Sequence, residues 1–246
     1  MSEAVGLVTG SAPFAGLPTN PAELVLPFVD GAVFSGIRVT TVVMPVSLTK
    51  LRRLIPQLVA QHRPRFVMSL GLALAAPVVR VEAVSVNATH FAVPDADGAL
   101  PTGGKPIDPK APDGRAATWK AAPIVEAILA EEVPATLSFH AGTHLCNLTL
   151  FSFLGALEAA GSSAPCGFLH LPYLPEEVAW LIGRPRNDGR RAPLASTDVA
   201  SMALETQVKA VRAAIAELAR QAAAIPARRQ TRNVKETSVH VVPGDA

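Results

Sequence analysis

At 246 residues, 49% hydrophobic and 17% charged, the chain is long and apolar enough to bury a sizeable core within one domain. A net charge of +2 excludes the broad basic face of a nucleic-acid binder, and two cysteines are too few for a disulfide framework. The arginine clusters, Arg184 to Arg191 and Arg228, Arg229 and Arg232, read as a surface loop and a solvated tail.

The first residues, Met1-Ser2-Glu3-Ala4-Val5-Gly6, lack the basic segment and long apolar core of a signal peptide. No apolar stretch reaches the about 20 residues of a membrane span. These features predict a cytoplasmic protein without membrane association, in a reducing compartment where a thiol stays free. Val5 to Val8 and Ile37 to Met44 are apolar runs of strand length. Leu48, Leu51, Leu54, Ile55, Leu58 and Val59 then recur at helical spacing, Pro56 notwithstanding. Further strands are predicted over Arg65 to Leu70 and Val78 to Val86. Pro94 to Pro112, rich in Pro, Gly and Asp, is a long loop of the kind that forms a lid or a subunit contact. A helix over Ala116 to Ala130, a strand over Ala135 to Phe139 and a strand over Gly167 to Leu171 follow. The last helix spans Ser196 to Ala224, with Ser196, Thr197 or Asp198 as N-cap. The alternation predicts an α/β fold: a three-layer α/β/α sandwich with a largely parallel, twisted central sheet. Residues 1–225 form one catalytic domain, and the polar, aperiodic 226–246 a mobile tail.

Cys146 stands where the strand-like Leu137-Ser138-Phe139-His140 gives way, through Ala141-Gly142-Thr143-His144-Leu145, to an apolar helical run over Leu148 to Leu157. A thiol in a first helical turn feels the positive end of the helix dipole, which favours the thiolate. Cys166 follows Pro165 directly before a strand, lacks that setting, and reads as structural. His170 closes an apolar strand, at the edge where α/β enzymes gather site residues, and is the base a cysteine nucleophile needs. Glu82 is a carboxylate in the apolar strand Val79-Arg80-Val81-Glu82-Ala83-Val84, where burial demands a partner. That partner is either an imidazole, which the carboxylate would orient, or Arg80 on the same strand face. His144, two positions from Cys146, is not expected to face it along a regular helix. A metal set of His140, His144 and Cys146 wants a fourth ligand that the sequence does not supply.

In these segments the chain resembles the pyroglutamyl peptidase I family of cysteine exopeptidases, over roughly residues 5–220. The resemblance runs through Val8-Thr9-Gly10, Pro13-Phe14, Thr19-Asn20-Pro21, Gly71-Leu72-Ala73, Val81-Glu82, Asn87, Pro94-Asp95 and Gly98. It continues in Ala141-Gly142-Thr143, Leu145-Cys146-Asn147, Phe168-Leu169-His170-Leu171-Pro172-Tyr173-Leu174-Pro175-Glu176 and Met202-Ala203-Leu204-Glu205. It implies removal of N-terminal pyroglutamate through a thioester on Cys146, with His170 as base and then acid and Glu82 as orienting carboxylate. It implies a substrate pocket involving Phe14, Asn20, Leu72, Val93, His144 and Leu145, with Asn20 also holding the N-terminal loop. No metal, no cofactor, a peptide or small amide substrate and a homo-oligomer, dimer or tetramer, are implied as well. The chain departs from the family pattern at Ser11, Ala15, Ala76, His90-Phe91-Ala92 and His144, where a phenylalanine, a glycine, an arginine, an Asp-Ala-Arg and an aromatic are usual. These departures open two alternatives, a related amide or lactam hydrolase with another acyl preference and a non-catalytic binder. They also raise the expectation that His144 or His90 replaces lost substrate contacts.

Overall fold

The computed structural model describes residues 4–183 and 199–226. In chain order its elements are β1 (Val5–Ser11), α1 (Pro21–Leu24), β2 (Val33–Phe34), β3 (Ile37–Met44), α2 (Leu48–His62), β4 (Phe66–Leu72), β5 (Val79–Glu82) and β6 (Val84–Val86). Then follow β7 (Gly114–Ala116), α3 (Ala121–Ala130), β8 (Ala135–Ser138), α4 (Leu145–Ala159), β9 (Cys166–Leu171), α5 (Pro175–Gly183) and α6 (Leu204–Ala223). Seven of the strands make one sheet in the order β2-β3-β1-β4-β9-β5-β8. Strands β3, β1, β4 and β9 run parallel, whereas β5 pairs antiparallel with β9 and parallel with β8.

Alternation along these strands feeds two cores, as pleating requires. Val8, Met68, Leu70, Val81, Leu169 and Leu171 pack with Ala22 of α1, Ile124 of α3 and Ile215 of α6 on one face. Leu7, Val67, Cys166 and Phe168 pack with Leu51 and Ile55 of α2 and Leu148 and Phe151 of α4 on the other. This is the expected three-layer sandwich. In α2 the Ser47 hydroxyl caps the first turn by accepting from the Lys50 N–H. Pro56 lies inside that helix, where buried Leu51, Ile55, Leu58 and Val59 offset the missing backbone bond.

Three sequence expectations need correction. The run Val78 to Val86 is two strands, because Ala83 breaks out of the ladder: its N–H donates to the Ser138 carbonyl and its carbonyl accepts from Ala117. Beyond the break, β6 pairs antiparallel with β7 in a separate two-stranded sheet. The helix expected from Ala116 starts at Ala121, since the Thr118 and Trp119 N–H groups are both drawn to the Cys166 carbonyl. The last helix starts at Leu204 without a side-chain cap. The preceding segment is held by Met202 N–H on the Tyr173 carbonyl, and the expected caps at 196–198 lie outside the described residues. The arginine cluster at 184–191 and the tail beyond Pro226 lie outside them too.

The long loop after Pro94 is fastened rather than free. The Asp95 carboxylate accepts from the N–H groups of Leu48, Asp97 and Ala99, and Asp97 pairs with Lys50 and the Ser47 hydroxyl. Among the described residues no helix is long and apolar enough to cross a membrane.

Trp119 connects this fold to the carboxylate on β5. Its indole N–H donates to the Glu82 carbonyl at 3.1 Å, and the ring occupies the space where a Cβ on Gly167 would stand. Gly167→Ala should therefore displace the indole and lower stability by about 2 kcal/mol, as overpacking in a filled core does. Denaturant unfolding followed by tryptophan fluorescence checks this, and an unchanged midpoint would contradict it.

Candidate active site

Sheet pleating puts Glu82, Phe168 and His170 on the α4 side of the sheet, because Val81, Leu169 and Leu171 face the opposite core. The antiparallel β5–β9 register sets Glu82 opposite Phe168 and Arg80 opposite His170. The Glu82 and His170 side chains meet diagonally across it, His170 Nδ1–H donating to Glu82 Oε1 at 2.8 Å. Of the two partners open to Glu82, the imidazole makes the contact, and Arg80 acts only as a more distant charge.

With Nδ1 engaged, His170 Nε2 is the ring nitrogen left to interact with the Cys146 side chain. Burial disfavours a charge on His170, yet the Cys146 sulfur and the Glu82 carboxylate outweigh it and push the imidazole pKa up to about 9. Burial likewise works against charge on Glu82, and the His170 hydrogen bond and charge hold its carboxyl below the usual range. Cys166 sits fully buried in the sheet, and burial pushes its thiol far up, in keeping with a structural role.

Cys146 is the second residue of α4, half-buried, with His144 as the N-cap residue in extended conformation and no side chain capping the helix. The first intrahelical bond at that end runs from Leu148 N–H to the His144 carbonyl. The Leu145, Cys146 and Asn147 N–H groups therefore have no intrahelical acceptor. Asn147 fixes the helix start: its amide oxygen accepts from Val86 N–H, and its amide nitrogen donates to the Val86 and Ala88 carbonyls. Thr143 adds a hydroxyl bond to the His90 carbonyl.

A shallow, partly open cleft lies beside Cys146. Phe14, Asn20, Leu72, His144 and Leu145 line it, as does Ser11. Asn20 also staples the N-terminal loop, accepting from Ala22 N–H and donating to the Ala12 carbonyl. Within that loop Ala15 takes φ +53°, a left-handed conformation that costs a side-chain-bearing residue about 1–2 kcal/mol.

Val93 is not among the residues lining the cleft in the described part of the chain; its carbonyl lies 3.2 Å from His144 Nε2. His144 does share the cleft with Cys146, because it precedes the helix with extended backbone rather than belonging to its first turn. His90 is exposed, and its Nδ1 accepts from Gly103 N–H. Among the described residues no cluster of three or more His, Cys, Asp or Glu could hold a metal ion, so His140, His144 and Cys146 do not converge on one.

The pyroglutamyl peptidase family model matches residues 5–221. The chain belongs to the pyroglutamyl peptidase family. It is 33% identical to a pyrrolidone-carboxylate peptidase of Thermococcus onnurineus over 205 residues, 83% of this chain and 93% of the relative. It is likewise 33% identical over 214 residues to pyrrolidone-carboxylate peptidase 1 of Caldanaerobacter subterraneus, covering 85% and 98% of the two chains. A mutant pyrrolidone carboxyl peptidase of Pyrococcus furiosus superposes with a TM-score of 0.80 at 28% identity, covering 88% of this chain and 99% of that one.

This pyroglutamyl peptidase carries supports whose structural role the sequence did not reveal, namely Asn147, Trp119 and Gly71. Gly71 stands beside His170 in the β4–β9 register. A Cβ there would come 2.9 Å from Cys146 Sγ and 2.7 Å from Phe168 Cζ. Besides its place in the family resemblance, its sequence signal is a glycine within an apolar strand, which marks close approach by another group. Gly71→Ala should slow iodoacetamide alkylation of Cys146 at least about tenfold while leaving the circular dichroism spectrum intact. Unaltered alkylation would contradict the packing described.

Proposed function

We propose that this cysteine peptidase removes N-terminal pyroglutamate from peptides through a thioester on Cys146. The observation that carries the reading is the buried Glu82–His170 pair acting on half-buried Cys146, beside a cleft lined by Phe14, Leu72, Leu145 and His144. Cys146 Sγ attacks the carbonyl carbon of the pyroglutamyl amide, and the resulting oxyanion lies toward the free N–H groups at the start of α4. Among the described residues no Lys, Arg, Asp or Glu side chain lines the cleft, so the backbone donors at the helix start are the donors assigned to that oxyanion. His170 Nε2–H then protonates the departing amine as the C–N bond breaks, leaving the acyl group on sulfur. The neutral imidazole next takes a proton from water, whose oxygen attacks the thioester and releases pyroglutamate, and Glu82 holds the ring in place throughout.

Phe14, Leu72, Leu145 and His144 would hold the acyl group, Asn20 would fix the loop carrying Phe14, and no metal or cofactor takes part. The enzyme would act as one catalytic domain, in the cytoplasm, as a homo-oligomer. The altered cleft, with Ser11 and His144 where the family pattern has aromatic residues, favours one second reading: the same chemistry on a related small amide or lactam.

Wild-type protein should cleave pyroglutamyl-aminomethylcoumarin, and Cys146→Ala should lose at least about 10³-fold in kcat. A fully active Cys146→Ala variant overturns the nucleophile assignment. Failure to cleave despite rapid alkylation near neutral pH favours the second reading, and slow alkylation of an ordinary thiol favours a binder.

Activity should also decline as pH rises through about 9, where His170 loses the proton it donates. Because the Glu82 carboxylate raises the His170 pKa, Glu82→Gln should move that alkaline limb toward neutral pH and lower kcat. A pH–rate profile for the two proteins is the measurement, and coincident alkaline limbs would contradict this role for Glu82.

A further inference from the structure

Among the described residues lining the cleft, the side chains that can exchange hydrogen bonds with a ligand are those of Ser11, Asn20, His144 and the nucleophile Cys146. The His144 ring is held on two sides: Phe91 lies against it at 4.0 Å between ring centroids, and the Phe14 ring, also lining the cleft, stands 6.4 Å away. Phe91 is itself buried, so that contact is a fixed backing. The remaining constraint is chemical. Nε2 faces the Val93 carbonyl at 3.2 Å, and a carbonyl only accepts, so Nε2 must carry the hydrogen. Burial keeps the imidazole neutral by lowering its pKa, more than the Val93 carbonyl and the Asp95 charge raise it. A neutral imidazole with Nε2–H has a bare lone pair on Nδ1. The His144 side chain makes no N-cap bond, and among the described residues its only hydrogen bond is the one to Val93.

We infer that His144 Nδ1 is a specificity determinant that accepts a hydrogen bond from an N–H on the bound acyl group. This rests on the peptidase reading above and deepens it. The preferred acyl groups are compact ones that carry a donor, such as a secondary lactam, and not apolar rings of equal size. A plain aromatic side chain at this position offers surface alone, whereas the imidazole adds a polar requirement. A site built around one hydrogen bond discriminates strongly against the analogue that lacks the donor, because the acceptor is then desolvated without a partner.

The test uses full-length Cys146→Ala protein, so that binding is measured without turnover, and calorimetric titration with pyroglutamate amide and its N-methyl counterpart. The parent should bind the N–H lactam at least about tenfold more tightly than the N-methyl one. Adding His144→Phe, which keeps an aromatic ring against Phe91, should weaken binding of the N–H lactam and reduce that preference to near one. In an otherwise wild-type background, the same substitution should raise KM for pyroglutamyl-aminomethylcoumarin more than it lowers kcat. Equal affinity of the parent for the two lactams, or an unchanged preference in His144→Phe, overturns the inference. Cleavage of the coumarin substrate by wild type alongside either result leaves the peptidase reading standing, whereas absence of both cleavage and lactam binding overturns the two together.

Discussion

The hydrogen bond from His170 Nδ1 to Glu82 Oε1, 2.8 Å long and shut off from water, is the constraint around which the rest of the molecule is arranged. A fully buried carboxylate is sustainable only with a partner, and removing one member of such a pair typically costs about 3–5 kcal/mol. The topology supplies the partner by a departure from parallel order: β5 enters the sheet antiparallel to β9, which brings residue 82 diagonally across from residue 170. Trp119 holds the Glu82 backbone from the side, and Phe168 lies 4.8 Å from the His170 ring, so both groups are oriented before any substrate arrives.

Cys146 is brought to that pair by a different set of forces. The apolar body of α4 buries Leu148, Phe151 and Leu154 against the sheet and α2, which fixes the helix as a rigid block. Asn147 then sets its start against β6, and Gly71 leaves the space that the sulfur occupies. The helix start carries no capping side chain, unlike that of α2, so its N–H groups remain open beside the nucleophile.

Much of this was legible in the sequence where local pattern and tertiary role coincide. β1, β3, β4 and β9 are apolar runs of strand length, and each forms within three residues of its expected bounds. The residues Cys146, His170 and Glu82 stood out because each is a reactive or costly group in an apolar or helix-start setting. What could not be read depends on contacts between distant segments. The break at Ala83 is made by Ser138 and Ala117, and the delayed start of α3 is made by the Cys166 carbonyl, none of which changes the local hydrophobic pattern. The antiparallel course of β5 has no local signature either. The short helix α5 does carry one, Pro175 at its start followed by Glu176 and Glu177 in the first turn. Val93 illustrates a subtler case: family position implies substrate contact and says nothing of the role its carbonyl has in setting the tautomer of His144.

The central claim is that the sulfur of Cys146 carries the acyl group during turnover. Acid-quenching a pyroglutamyl ester reaction within its first turnover, followed by mass spectrometry of the proteolysed enzyme, tests this directly. The account predicts a mass gain of one pyroglutamyl group confined to the peptide containing Cys146, absent after hydroxylamine treatment. Turnover of the ester with the acyl group found on another residue, or an adduct on Cys166, would contradict it.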